Sequence, residues 1–331
     1  MSRGVIILGM HRSGTSALTG ALAAMGVFVG DEPELTRANS ENPRGFFERR
    51  DARALCDELL YAAAADWWKV SDFSCRAVPR ERIDALQPQF AALFERLRSH
   101  RLWALKEPRL CLLMPLFRPW LRDDDIVVHM LRHPLAVARS LRRRNGLPIR
   151  VGLALWKRYV LDARQSSPDR PTLVVSYEAL VAEPEATLQR LVSGLGAAGI
   201  GSLNAAAGAE TILSGLDRQT VQAAEFWCRP DELSLWRRLL GAGAPGRVDT
   251  AELNSTLRRF EARDAERMRR ILARPNPPRM AHNRQQALLI ERFRECLDES
   301  DWRLAAVARS RSWRWTGALR RLVGWRKRGA A

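Results

Sequence analysis

The chain has 331 residues, 46% of them hydrophobic and 27% charged, a balance that excludes a disordered polymer and leaves length for a large α/β domain with an appendage. No apolar run approaches the ~20 residues that cross a bilayer, and the run Val5 to Leu8 behind Met1-Ser2-Arg3-Gly4 is too short for a secretory h-region. The formal charge of +17 calls for an anionic partner without choosing among nucleotide, acidic glycan, nucleic acid and lipid.

In chain order, short β-branched or apolar runs alternate with amphipathic stretches. Strands are expected at Val5 to Leu8, Leu102 to Leu105, Ile126 to Leu131 and Thr172 to Ser176. Helices are expected at Ser16 to Met25, Arg80 to Arg98, Leu135 to Arg144, Val151 to Arg164 and Glu178 to Leu195. The repeated βα order predicts a doubly wound, mainly parallel sheet flanked by helices. Gly- and Ala-rich stretches at Gly194 to Gly208 and Gly241 to Gly246 flank a mostly helical region, and Arg274-Pro275-Asn276-Pro277-Pro278 marks a boundary because consecutive prolines exclude a continuing helix. The division is a domain over 1–275, with its core in 1–200 and a helical region in 200–275, followed by a helical extension over 276–331.

The five cysteines, Cys56, Cys75, Cys111, Cys228 and Cys296, are scattered and never spaced as CxxC. That pattern predicts neither disulfides nor a zinc site and suits a reducing, cytoplasmic setting. No His, Cys, Asp or Glu group has metal-ligand spacing, so no metal is expected. Asp123-Asp124-Asp125 reads as a solvated turn, since three adjacent acids do not face one way. His129 reads as a hydrogen-bonded core residue of a strand.

Between the first strand and first helix lies Gly9-Met10-His11-Arg12-Ser13-Gly14-Thr15-Ser16. A strand-to-helix turn of this kind converges backbone N–H groups on an anion, and the helix dipole adds to the attraction. Gly9 and Gly14 allow close backbone approach, while Ser13, Thr15 and Ser16 add hydroxyls. The spacing is that of a Walker A loop, but the lysine expected after the second glycine is Thr15, which argues against an ordinary kinase or NTPase. Arg12 supplies a planar cation instead. Further on, Leu131-Arg132-His133-Pro134 ends a strand and opens a helix with proline in its first turn. Arg132 and Ser140, two turns along that helix, form a candidate pair for a second phosphate. His11 and His133 lie inside these loops and read as orienting groups or phosphate contacts.

Together the two segments resemble the nucleotide-binding signatures of the sulfotransferases that use 3′-phosphoadenosine 5′-phosphosulfate (PAPS). The 5′-phosphosulfate loop of that family is matched by Arg12-Ser13-Gly14-Thr15-Ser16, and its 3′-phosphate element by Arg132, Pro134 and Ser140. Asn42-Pro43-Arg44-Gly45-Phe46-Phe47-Glu48 and Lys106-Glu107-Pro108-Arg109 look like elements of a bacterial branch, and Tyr177-Glu178 is similar to the family's Tyr-Glu element near the adenine. The resemblance covers roughly the first two hundred residues. It implies a P-loop-like sulfotransferase fold, PAPS as co-substrate, and transfer of a sulfuryl group to an acceptor hydroxyl. The family's late glycine-rich loop is not evident, which leaves Arg218 as a candidate to complete the adenine and 3′-phosphate pocket.

An acceptor hydroxyl needs a base. Glu48 is the first candidate, resembling the glutamate base of some family members, with flanking aromatics expected to exclude water and raise its pKa. Glu32, Glu41 and Asp31 compete, and the plain alternative is a surface glutamate paired with Arg44, Arg49 or Arg50. Lys106 ends a strand at the carboxyl edge of the sheet, where ligands bind in open α/β folds. It resembles the family's second active-site lysine, sharing sulfuryl charge with Arg12. Arg109 reads as an acceptor contact or a loop brace.

From Asp301 onward nine Lys or Arg residues face one acid, giving +8 of the +17. Trp315, Leu319, Leu322 and Val323 recur at helical spacing beside Arg320, Arg321, Arg326, Lys327 and Arg328. This tail fits an anionic membrane surface on the cytoplasmic face, an acidic glycan, or packing on the catalytic domain. Ser310 to Thr316 resembles terminal segments of bacterial cell-surface glycan enzymes, which favours a saccharide or lipid-linked acceptor over a small metabolite. The competing classes are a P-loop kinase with an altered loop and a binder of nucleic acid or another anionic polymer; the donor loop counts against nucleic acid.

Overall fold

The computed structural model describes residues 2–36, 45–167, 169–201, 203–212, 228, 230–241 and 250–273, with side chains to 266. The 274–278 boundary, the basic tail, Glu41 and Arg218 lie outside the described residues, as do residues 42–44 of the Asn42 to Glu48 segment.

Four strands form one parallel sheet: β1 (Arg3–Leu8), β2 (Leu102–Lys106), β3 (Ile126–Leu131) and β4 (Thr172–Ser176), in the order β2-β1-β3-β4. The chain moves outward from β1 to β2 and then returns to the other side for β3. That reversal puts the topological switch point between β1 and β3, the position at which open α/β folds bind ligands. Register sets Ile7 beside Lys106, Leu8 beside His129, and Leu131 beside Ser176. The phosphate-loop segment, Lys106, Arg132 and Tyr177 therefore all leave the same edge of the sheet.

Alternation along the strands builds a core on each face. Ile6, Leu8, Leu105 and Val127 join one core with α2 (Arg50–Ala62), α4 (Gln87–Arg98), α5 (Leu110–Phe117) and α7 (Ile149–Gln165). Val5, Ile7, Val128 and Met130 join the other with α1 (Thr15–Ala24), α8 (Tyr177–Ala182), α9 (Pro184–Ala197) and α10 (Ala205–Ala209). α6 (Pro134–Asn145) follows β3, and α11 (Pro230–Leu240) and α12 (Ala251–Ala273) add Leu235, Leu239, Leu253 and Leu257 to the first core.

All four expected strands are present. Two expected helices are each divided, for one reason. The stretch Arg80 to Arg98 is α3 (Arg80–Ala85) and α4, with Pro88 in the first turn of α4. The stretch Glu178 to Leu195 is α8 and α9, because Pro184 drives Glu183 out of the helical region, to φ −136° and ψ 69°. Among the described residues no helix is long and apolar enough to cross a membrane.

Asp125 corrects the reading of the acidic triplet. Asp123 is exposed and Asp124 pairs with Arg3 at 3.2 Å, but Asp125 is buried. Its two carboxylate oxygens accept from the backbone N–H groups of Gly4 and Arg122, both at 2.8 Å. It thus ties the start of β1 to the turn before β3. Asp125→Ala leaves the buried Gly4 N–H without its acceptor, and chemical denaturation should show a loss of about 2 kcal/mol or more.

Candidate active site

The loop after β1 is shaped by its backbone. Ser13 N donates to Met10 O at 3.0 Å, and both Arg12 (φ 72°) and Gly14 (φ 88°) adopt left-handed conformations. Such a conformation is strained for arginine and free for glycine. Gly14 is required twice over, since a Cβ there would stand 2.1 Å from the Tyr177 ring.

The Arg12 side chain donates from Nε to Ser140 Oγ at 2.9 Å, joining the loop to α6. Arg132, just past β3, donates from Nη1 to the Arg12 carbonyl at 3.1 Å and stacks its guanidinium over the Tyr177 ring at 4.1 Å. Trp156 of α7 donates to the Arg132 carbonyl at 3.1 Å. Glu178 takes the His133 backbone N–H at 2.8 Å and the Ser176 hydroxyl at 2.9 Å, fixing the β4–α8 corner to the start of α6. His133 Nδ1 accepts from Leu135 N at 3.3 Å and so caps α6. Ser13, Thr15 and Ser140 are buried around this junction. Arg12, Ser140, Arg132, Gly14 and Tyr177 thus form one connected group.

Lys106 joins the loop to the second candidate segment. Its ammonium donates to Ser16 Oγ at 3.1 Å and to Glu48 Oε1 at 2.7 Å, and the residue is 2% exposed. Of its arginine neighbours, Arg44 lies outside the described residues. Arg49 pairs with Glu34 and Asp51, and Arg50 donates to the Pro33 carbonyl. The expected upward pKa shift is also corrected. Burial pushes the Glu48 carboxyl up, but Lys106, then Arg53 and Arg109, outweigh it and hold the group below the ordinary carboxylate value. Of the competing acids, Asp31 is exposed and pairs with Arg96, and Glu32 is exposed.

Beneath Lys106 lies a buried ionic layer. Arg109 pairs with Glu107 at 2.7 Å and with Asp57 of α2 at 2.9 Å, and both Arg109 and Glu107 are sealed from solvent. Arg109 thus braces the turn after β2 against α2. His11 packs edge-on against Trp67 at 5.0 Å and Tyr159 at 5.8 Å, and the Tyr159 hydroxyl donates to the Trp67 carbonyl at 2.6 Å. Burial, then Arg109, Arg144, Lys106 and Arg12, hold His11 neutral. Trp67, Tyr159 and Asp57 were not identified from sequence, because none sits in a motif; only the periodicity of Leu55, Cys56 and Leu59 around Asp57 marks its helix.

With this geometry in view, residues 4–198 match the model of the sulfotransferase family. The match spans more than half of the chain, and the chain belongs to that family. No curated protein matches it. Among solved structures it is similar to the sulfotransferase domain from the curacin biosynthetic pathway, at 21% identity over 59% of this chain and 74% of that one, with a TM-score of 0.37. It is also similar to the sulfotransferase domain from the Synechococcus PCC 7002 olefin synthase, at 22% identity over 77% of this chain and 94% of that one, with a TM-score of 0.39.

His129 lies away from this group, buried in β3, and its Nε2 finds no hydrogen-bond partner among the described residues. Burial, then Arg164, lowers its pKa from 6.5 to about 3. A depressed histidine contributes stability that is present above the unfolded value and lost as pH falls toward the folded one. Between pH 6.5 and about 3 the unfolded chain therefore binds one proton more at this position. His129→Leu should flatten the acid limb of stability by ~1.4 kcal/mol per pH unit in that window, measured by denaturant titration at several pH values.

Proposed function

We propose that this chain transfers a sulfuryl group from PAPS to a hydroxyl of a saccharide or lipid-linked saccharide. The observation that carries the reading is the position of Lys106, whose ammonium touches both the Ser16 hydroxyl of the phosphate loop and the Glu48 carboxylate. A donor loop and an ionised carboxylate are thereby joined through one cation. The residues present suit the nucleotide: Arg12 and Arg132 bring charge, Ser13, Thr15, Ser16 and Ser140 bring hydroxyls, and Gly14 keeps the loop close to the Tyr177 ring.

When bound, PAPS supplies an activated sulfuryl group whose S–O bond to the 5′-phosphate breaks as the acceptor oxygen attacks. Arg12 and the loop hydroxyls hold the 5′ end, Arg132 and Ser140 hold the 3′-phosphate, and Tyr177 flanks the adenine. Glu48 accepts the proton of the acceptor hydroxyl at a carboxylate oxygen. Because Glu48 is ionised in its pair with Lys106, it is in the protonation state a base needs. Its neutralisation releases the Lys106 charge from that pair when charge develops on the transferred group. The saccharide is supported by the likeness of Ser310 to Thr316 to terminal segments of glycan enzymes.

Calorimetric titration with 3′-phosphoadenosine 5′-phosphate tests the donor site. Wild type should bind it well above ATP, and Arg132→Ala should weaken it roughly 10- to 100-fold, the worth of a charge-assisted hydrogen bond. Glu48→Gln should keep that affinity within a few-fold while transfer from labelled PAPS falls by about two to four orders of magnitude. Absence of nucleotide binding by folded wild type would sink the donor assignment. Transfer to small hydroxylated metabolites but to no saccharide would replace the acceptor class.

A further inference from the structure

Glu48 sits in a segment with no regular secondary structure, yet three separate devices fix it. The first is a short antiparallel bridge: Leu35 pairs with Arg49, and Thr36 N donates to the Glu48 carbonyl at 2.8 Å. The second is ionic. Arg49, 2% exposed, donates from Nη1 to Glu34 Oε2 at 2.8 Å and from Nη2 to Asp51 Oδ2 at 2.6 Å. Glu34 in turn receives Arg96 Nε of α4 at 2.9 Å and the Asp31 backbone N–H at 2.9 Å. The third is steric. Phe47 adopts φ 52°, a conformation costly for a bulky residue, and its ring lies on Gly20 of α1, where a Cβ would come within 2.9 Å.

From these contacts we infer that Glu34 and Arg49 form a positioning latch which, with Phe47 seated on Gly20, sets the Glu48 carboxylate against Lys106. The inference rests on the reading of Glu48 as the base. Glu34, Arg49, Phe47 and Gly20 are positioning residues, acting through Glu48 and not on the substrates. An arginine next in the chain to a catalytic carboxylate would itself compete for that carboxylate. Here Glu34 and Asp51 saturate Arg49 from the other side and leave Glu48 to Lys106. Although burial opposes the charge on Glu34, its bonds from Asp31 N, Arg96 and Arg49 lower its pKa to about 2. Glu34 thus keeps its charge down to about pH 2.

Two variants disturb the latch by unrelated routes. Glu34→Gln keeps an oxygen for the Asp31 N–H but removes the charge that holds Arg49. Gly20→Ala gains helix propensity in α1, which offsets part of the cost of the methyl that displaces the Phe47 ring. Both should lower kcat at least tenfold with the KM for PAPS and the affinity for 3′-phosphoadenosine 5′-phosphate within twofold. The pH profile separates positioning from general destabilisation. The charged groups acting on Glu48 are Lys106, Arg53, Arg109 and Glu107, and Lys106 is the one a displaced Glu48 leaves. The acid limb of kcat/KM should therefore move to higher pH in both variants, toward an ordinary carboxylate. Glu48→Gln separates the two claims. If it transfers sulfuryl groups at the wild-type rate, the base assignment falls and the latch falls with it. If Glu48→Gln is inactive while Glu34→Gln and Gly20→Ala both keep wild-type kcat and an unmoved acid limb, the latch alone is overturned.

Discussion

A buried ammonium is the constraint around which the rest of the site is arranged. Taking a lysine out of water costs several kcal/mol unless partners replace the lost hydration. Lys106, at the end of β2, finds two partners from distant parts of the chain, a hydroxyl of the phosphate loop and the carboxylate of Glu48. Neither partner can withdraw without leaving a poorly solvated charge, so the loop after β1 and the segment before α2 are held together through β2. The same demand for pairing runs one layer deeper, where Glu107 and Asp57 compensate Arg109. Burial pushes the Glu107 carboxyl up even beside that arginine.

The sheet topology explains why these charges meet. Parallel strands deliver their carboxyl ends to one edge, and the order β2-β1-β3-β4 brings Lys106, the phosphate loop, Arg132 and Tyr177 there in spatial sequence. Helices on both faces carry the supporting residues: Gly20 on α1, Ser140 on α6, Trp156 on α7.

What could be read from the sequence was whatever is local in the chain. The loop from Gly9 to Ser16 and the run from Arg132 to Ser140 are continuous, and a strand before and a helix after each gave them a setting. The strand limits followed from β-branched runs bounded by turn residues. What escaped depended on contacts between distant residues. Glu48 and Lys106 are 58 positions apart, so the cation that reverses the expected pKa shift was invisible. Asp125 looked like its two acidic neighbours, and only its backbone donors in β1 and at Arg122 distinguish it. The α2 helix has a clear apolar stripe through Ala52, Leu55, Cys56, Leu59 and Leu60 and was available to a periodicity argument. α5 is apolar on nearly every side and carries Pro115, so periodicity has nothing to say about it.

The two halves of the site are held by different forces, and this has a consequence for how they respond to change. The side built on the loop after β1 is fixed largely by backbone: left-handed turns at Arg12 and Gly14, a carbonyl taken by Arg132, and a ring packed against a glycine that tolerates no side chain. Such restraints change little with pH or salt. The Glu48 side adds to its backbone bridge and the Phe47 packing a set of charge restraints, through Lys106, Arg49, Glu34 and Asp51, with part of that network near solvent. Partly exposed ion pairs are screened by salt while buried ones are screened far less. Ionic strength therefore acts on the segment carrying Glu48 before it acts on the loop after β1, and the buried Lys106–Glu48 contact is the last of those charge restraints to yield.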